Sequence, residues 1–338
     1  MKIVQIMATD GGKIGGLEKH TFQLCSKLAE TQEVHLFLDK DYAGKIPEKN
    51  HIYCHYFNFS KGRTNLGLLY CIFKSIKKIQ PDIVHAQGGK ASKILGFILT
   101  FLKIPSVATI HGMKNNIRSY RIFNEVIVVS KSVAKKAQLH RSVYVIYNGV
   151  DSSKTSVKEH NLFRLPKKAI AIGRLDPVKG FDQLIEAWQG IDLQLEIIGE
   201  GAERQYLEQL ITQFNLTKNV KLIGYQKDIY SYLAESDFVI VSSSKEGGPL
   251  IVAEALLENK PVIATDVGMA SEFIPIQYIA RGYRAPELKD LIQFTIANFE
   301  YIQQDFQPAF NKAKEQLSLD TMVEATLNVY LSAIKNAS

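Results

Sequence analysis

Glu246 and Glu254 stand eight positions apart in SSSKEGGPLIVAEALLENKPVIAT, and their surroundings indicate what two carboxylates could do there. The apolar run Phe238 to Val241 reads as a buried parallel strand ending in a Ser-rich loop. Glu246 falls in that loop. Pro249 suits the first turn of a new helix, which would carry Glu254. The second carboxylate would then lie about two turns of ~5.4 Å beyond the first. Between them the helix N-terminus offers N–H groups that favour an anion such as a diphosphate. Two hydroxyl acceptors bracketing an anion site suit a sugar nucleotide. An ordinary solvated helix with two surface glutamates is the competing reading.

Cations with a matching purpose occur in GRLDPVKG, where Arg174 follows a buried strand and Lys179 opens the next helix. Two cations at the mouth of a parallel sheet suit a diphosphate, because ligands bind at the carboxyl ends of such strands. Gly15 and Gly16, between the first strand and first helix, would let backbone approach a phosphate or acceptor closely, with Gly11-Gly12 as a rival pair. His111 sits at the end of the strand Val107 to Ile110; His85 has a weaker claim, and neither is assigned as a general base. Two patterns are decoys. Asp39-Lys40-Asp41 matches a D-x-D metal motif that is common by chance. Gly199-Glu200-Gly201 begins like a dinucleotide fingerprint, but Arg204 occupies the third glycine position and no acidic residue stands out ~20 positions on.

These residues need two α/β scaffolds. Short apolar strands alternate with helical patterns in residues 1–147: strands at 3–7, 34–38, 83–85, 107–110, 126–129 and 143–146, helices at 17–30 and 66–79. In 66–79 the periodicity puts Leu66, Leu69, Tyr70, Phe73 and Ile76 on one face. The polar segment 151–161 reads as a linker. A second series follows at 169–172, 195–198, 220–223, 238–241 and 262–264, and an amphipathic helix starts at Asp320. At 338 residues, two domains are the natural division.

Charge divides unevenly between the halves. Residues 1–150 hold 22 Lys+Arg against 9 Asp+Glu, and residues 151–338 hold 19 against 25, so the first half suits an anionic partner. No RNA- or DNA-binding motif accompanies that charge. The apolar run 94–102, pinned between Lys93 and Lys103, is about half the length a bilayer requires. MKIVQIMA passes after one residue to DGG and reads as a strand rather than a secretory leader. Cys25, Cys54 and Cys71 read as reduced packing residues, and the expected location is cytoplasmic.

Glu246, Glu254-Ala255, the strand Pro261 to Thr265, Asp266 and Gly268 resemble the signature of retaining glycosyltransferases of family 4. GGLE (15–18), TIHG (109–112), VVS (128–130), NGVD (148–151), GRLDPVKG (173–180) and IIGEG (197–201) follow in that family's order. His20 resembles the histidine often found two residues after the Glu of GGLE. The resemblance spans nearly the whole chain. It implies the GT-B architecture, an α/β fold of two Rossmann-like domains with parallel sheets facing across a cleft. Residues 1–150 would be the acceptor side, with helix 320–338 packing back on it, and 151–319 the nucleotide-sugar-binding domain.

The implied activity is transfer of a sugar, with retention, from a UDP- or GDP-type donor to a lipid-linked or saccharide acceptor in cell-surface glycan synthesis. Arg174 and Lys179 would neutralise the leaving diphosphate, with backbone donors from Gly248, Pro249 and Leu250. Glu254 would take ribose hydroxyls, Glu246 a sugar hydroxyl, and His111 would contact the donor sugar. No metal or cofactor is expected. An anionic membrane surface is, placing the protein at the inner face of the cytoplasmic membrane; nucleic acid is not. The chain departs from the pattern at Met269, where a second glycine is usual, and in a short stretch between His111 and Glu125 that suggests a trimmed lid. Two alternatives are a GT-B epimerase, which would lack this Glu pair, and a silent GT-B scaffold, which loss of Glu246, Arg174 or Lys179 would have favoured.

Overall fold

The computed structural model describes residues 1–46, 50–112, 117–137, 143–151 and 165–337. Apart from Asp151, the stretch read as a linker lies outside the described residues, as do residues 113–116 of the segment read as a trimmed lid. The chain divides into two compact units, Met1–Gly149 with Leu319–Ser338, and Val150–Ser318.

Among the described residues the first unit carries β1 (Lys2–Met7), β2 (Glu33–Asp39), β3 (Ile52–Phe57), β4 (Ile83–Gln87), β5 (Ser106–Ile110), β6 (Glu125–Val128) and β7 (Tyr144–Val145). They form one sheet in the order 3-2-1-4-5-6-7, every pair parallel. The second unit carries β8 (Lys168–Ile172), β9 (Gln194–Ile198), β10 (Val220–Gly224), β11 (Phe238–Val241), β12 (Val262–Thr265) and β13 (Ile279–Ala280). Their order is 10-9-8-11-12-13, again all parallel. Each order reverses direction once, between β1 and β4 and between β8 and β11. Such reversals are where doubly wound sheets bind ligands.

Helices cover both faces of a parallel sheet, so its central strands are apolar on both sides and were readable as short Val/Ile runs. β3 and β13 escape that reading. β3 is an edge strand of sequence IYCHYF, with Tyr53 and Tyr56 exposed, and β13 has only two residues. Helix Leu66–Ile79 also differs from expectation: Leu68, Leu69, Ile72 and Ile76 are buried, while Leu66 and Tyr70 point to solvent. Lys74, Lys77 and Lys78 fall on the side of Leu66 and Tyr70, so the stripe free of charge is the one through Leu68, Leu69, Ile72 and Ile76. Of the cysteines only Cys25 is buried, and Cys71 is exposed rather than packed.

The terminal helix Leu319–Ala337 buries Met322, Val323, Val329, Tyr330 and Ala333 in one cluster with Leu24, Cys25 and Leu28 of helix Gly16–Leu28. Ile3, Met7, Ile83 and Val107 from β1, β4 and β5 complete that layer. Its interior also holds polar side chains from the same strands.

Candidate active site

In the second unit, the loops leaving β8 and β11 meet at the strand-order reversal. After β8 a turn of 3₁₀ helix, Pro177–Lys179, is capped by Asp176, whose Oδ1 accepts from the Val178 N–H at 3.1 Å. Asp176 Oδ2 holds Arg174 Nε at 2.6 Å, and the Arg174 side chain stays 64% exposed. Gly180 follows with φ +64°, and a Cβ on it would lie 2.3 Å from the Ser242 carbonyl oxygen. Only glycine permits that approach. It locks the two loops: Ser242 Oγ donates to the Lys179 carbonyl at 2.9 Å and the Ser244 N–H to the Val178 carbonyl at 2.9 Å.

The result is a direct ion pair, Lys179 Nζ to Glu246 Oε1 at 2.5 Å, with both side chains mostly buried. Ser243 Oγ donates to the same oxygen at 2.9 Å. The sequence reading gave these two residues separate tasks; the structure brings them together. The tasks remain compatible. An ammonium has three donors, so one spent on Glu246 leaves capacity for phosphate oxygens. Both donors fall on Oε1, and Oε2 is the oxygen able to accept from a hydroxyl.

The loop after β9 closes the site from the other side. Gly199 has φ +146°, and a Cβ there would sit 1.9 Å from the Gly173 carbonyl oxygen. The G-E-G pattern therefore seats one loop against the next; Leu175 N donates to the Glu200 carbonyl at 3.0 Å. Past Glu246, helix Leu250–Leu257 starts one residue later than expected. Pro249 has φ −64° but ψ 115°, an extended residue that caps the helix from outside. Having no N–H, Pro249 cannot be a donor, so the backbone donors expected from this triplet reduce to Gly248 and Leu250. Glu254 lies on the helix and is buried. Beside it is Tyr230, which the sequence reading missed. Burial raises the Tyr230 hydroxyl well above its ordinary range, and the charges of Glu254 and then Glu258 add to that rise.

In the first unit, Gly15 caps helix Gly16–Leu28 in an extended conformation, and its N–H donates to Glu18 Oε2 at 2.9 Å. Gly16 is the first helical residue. The left-handed turn after β1 is made instead by Gly11 and Gly12, with φ +79° and +61°. His111, just past β5, places Nε2 2.7 Å from Gln87 Oε1. Its ring meets the His20 ring edge-on, centroids 4.7 Å apart at 75°. His20 is buried, which lowers its pKa to about 4 against a hydrogen bond to Asn148 that raises it. His85 is not at the surface of any site: its ring is fully buried in the polar interior of the sheet. Of the D-x-D pair, Asp39 is buried and accepts from the N–H groups of Asp41 (3.0 Å) and Phe59 (2.6 Å). Among the described residues no group of three His, Cys, Asp or Glu side chains is placed to hold a metal ion.

Comparison with known proteins gives this geometry a lineage. Residues 14–154 match the model for Glycosyltransferase Family 4, and residues 152–294 that for Glycosyl transferases group 1. The chain is 27% identical over 311 residues to an uncharacterized glycosyltransferase of Methanocaldococcus jannaschii, covering 85% of this chain and 86% of that protein. It is 25% identical over 270 residues to the lipopolysaccharide core biosynthesis glycosyltransferase LpsE of Rhizobium meliloti, covering 75% and 76%. Anabaena HepE, solved with UDP and glucose, superposes with a TM-score of 0.82 at 21% identity, covering 98% of this chain and 100% of that one. The two family models together take in most of the chain, and with two parallel-sheet Rossmann-like units it belongs to the family 4, group 1 glycosyltransferases of GT-B fold.

Proposed function

We propose that the protein transfers a sugar from a UDP- or GDP-type donor, with retention at the anomeric carbon, to a lipid-linked or saccharide acceptor in surface glycan assembly. The Lys179–Glu246 pair at the β8/β11 reversal carries this reading: it sets a diphosphate ligand beside a hydroxyl acceptor in one rigid loop pair. Arg174 directs its guanidinium outward for the phosphates, and Gly248 and Leu250 contribute N–H groups. Glu254 takes the ribose hydroxyls. For His111 the family resemblance supplies the role of contact with the donor sugar. HepE's complex with UDP and glucose supports a uridine nucleotide as the first donor to try.

In the proposed step the bond from the anomeric carbon to the β-phosphate oxygen breaks as the bond to the acceptor oxygen forms on the same face. The acceptor proton passes to the leaving phosphate oxygen. Charge growing on the diphosphate is met by Lys179 and Arg174, which is electrostatic catalysis without a metal. The commitment of Asp39 to two backbone N–H groups supports leaving the D-x-D pair out of it.

A panel of UDP- and GDP-sugars, followed by nucleotide release and by NMR of the product's anomeric linkage, tests the reading. Turnover of one donor in EDTA with the anomer retained is expected. An inverted product, or no turnover of any sugar nucleotide with glycolipid or saccharide acceptors, would sink it.

We further propose that the first unit rests on an anionic bilayer. Leu66 and Tyr70 on helix Leu66–Ile79, with Phe97 and Phe101 at the end of the next helix, are exposed apolar groups. Lys74, Lys77, Lys78, Lys93 and Lys103 accompany them in sequence. Lys90, expected to join them, is engaged with Asp10 at 3.1 Å. Among the described residues no helix is long and apolar enough to cross a membrane. Each basic group near an anionic leaflet contributes roughly 1 kcal/mol, and salt screens it. Flotation with phosphatidylglycerol vesicles at low salt, lost at high salt, is expected; indifference at low salt removes the membrane from the reading.

A further inference from the structure

The polar interior of the first unit is a continuous hydrogen-bonded chain that runs from the terminal helix to His111. Gln5, His85, Gln87 and Thr109 come from three neighbouring strands and are all buried; the β-register pairs Gln5 with His85 and Gln87 with Thr109. Tyr330, fully buried on the terminal helix, reaches down to them. Gln5 Nε2 donates to the Tyr330 hydroxyl at 2.6 Å. The Tyr330 hydroxyl lies 2.7 Å from His85 Nδ1, and giving its one proton to that nitrogen leaves no buried hydrogen of the pair unused. His85 is then a neutral ring whose Nε2–H donates to Thr109 Oγ1 at 2.7 Å. Burial, lowering its pKa to about 3, agrees.

The same logic continues towards the surface. Gln5 Oε1 accepts from Gln87 Nε2 at 3.0 Å, so Gln87 turns its other amide atom, Oε1, to His111 Nε2 at 2.7 Å. An amide oxygen only accepts. His111 Nε2 must carry the hydrogen, and a neutral His111 then has its lone pair on Nδ1. The polarity is collective, since reversing the Gln87 amide requires Gln5, Tyr330 and His85 to reverse with it.

We propose that Gln87 is a positioning residue for His111, fixing its ring plane and its Nε2–H tautomer. The relevance to turnover rests on His111 contacting the donor sugar, as proposed above; the tautomer assignment does not. The edge-on contact with His20 restrains the same ring from the other side. A second ring held neutral there adds no charge against His111.

Long-range ¹H–¹⁵N correlation on the full-length, ¹⁵N-histidine-labelled protein reads both ring nitrogens directly, with His111 identified by its loss in His111→Asn. At a pH where the ring is neutral, the wild type should show His111 and His85 as Nε2–H. Gln87→Leu should shift His111 away from pure Nε2–H, and Gln87→Glu, which keeps an oxygen acceptor, should restore it. In parallel, turnover is measured with UDP-glucose, UDP-galactose and UDP-N-acetylglucosamine. Gln87→Leu should lower kcat about 10-fold, as expected for a misoriented group. KM for the donor should change much less, and Gln87→Glu should recover part of the loss.

His111 found as Nδ1–H in the wild type, or unchanged in Gln87→Leu, overturns the assignment. Redistributed tautomers with unchanged kcat overturn the positioning role. Should Gln87→Leu fail to fold, Gln87→Glu and the wild-type spectrum still decide the tautomer. Full turnover by His111→Asn would instead defeat the sugar-contact reading and leave the spectroscopic result standing.

Discussion

At the β1/β4 reversal a histidine is aimed by other side chains, Gln87, Gln5 and Tyr330, through bonds of 2.6 to 3.0 Å. At the β8/β11 reversal Lys179 and Glu246 are brought together by main chain. Gly180 and Gly199 let one loop touch the next at distances no Cβ would tolerate. The two constructions fail in different ways. A side-chain network responds to protonation and to loss of one member. A backbone joint ignores pH but accepts no added atom. Seven of the eight histidines lie in residues 1–149; His140 among them, and the remaining one, His160, lie outside the described residues.

Acid gives the largest expected separation between the units. His20 and His85 are held neutral, with pKa lowered by burial to about 4 and about 3 from an ordinary value of 6.5. Their unfolded forms bind protons first, so their contribution is complete above about pH 6.5 and lost as pH falls towards 4. At pH 4.5 the first unit should have lost on the order of 5 kcal/mol on this account. The single tryptophan, Trp188, is buried in the second unit and reports on it alone. Between pH 7.5 and 4.5 the melting followed by far-UV circular dichroism should split from that followed by Trp188 emission. Coincident transitions at both pH values would break the comparison.

Gly199→Ala is the reciprocal test. Its Cβ meets a carbonyl oxygen of a neighbouring strand end, which must move. A loss of at least about 3 kcal/mol is expected, appearing in Trp188 emission under urea. Gly62→Ala, where a Cβ would meet nothing within 4 Å, is the control and should leave that signal in place. A mild effect at Gly199 would mean that the second site is less rigid than its backbone implies.

Lys179→Ala and Arg174→Ala sharpen the comparison within the second site. On the proposed chemistry each removes one electrostatic partner of the diphosphate, worth on the order of 10²-fold in turnover, or ~2.7 kcal/mol. Lys179→Ala should cost more stability than Arg174→Ala. It strips the partner from a mostly buried Glu246, whereas Arg174 is largely exposed. Equal stability with near-normal turnover in both would remove these cations from the mechanism.

How much of this was legible beforehand follows from the same contrast. The central strands and the residues around Glu246 were readable, because a buried parallel strand is an apolar run and the loops after it carry charge and glycine. The Lys179–Glu246 bond was not, since sequence spacing says nothing about two loops leaving different strands. Gln87 was missed for another reason. IVQIM, IVHAQ and VATI each place polar residues inside an apolar run, and that repeated exception was the available signal. Tyr330, the partner of Gln5, lies 325 positions from it, beyond any local pattern. The face of helix Leu66–Ile79 was misread because Leu66 and Tyr70 were grouped with Leu69 and Ile76, although Lys74, Lys77 and Lys78 share their side and mark it as the outer one.

The position of Tyr330 also has a bearing on biosynthesis. The sheet of the first unit is translated before Val150–Ser318, whereas the helix that covers its buried polar residues is translated after. At ordinary elongation rates the wait is roughly 10 to 30 s. During it, Gln5 and His85 have water where Tyr330 will be, and an apolar layer of Ile3, Met7, Ile83 and Val107 lacks part of its cover. The nascent chain therefore carries a half-covered sheet until its last segment is made. Only the arrival of helix Leu319–Ala337 completes that layer.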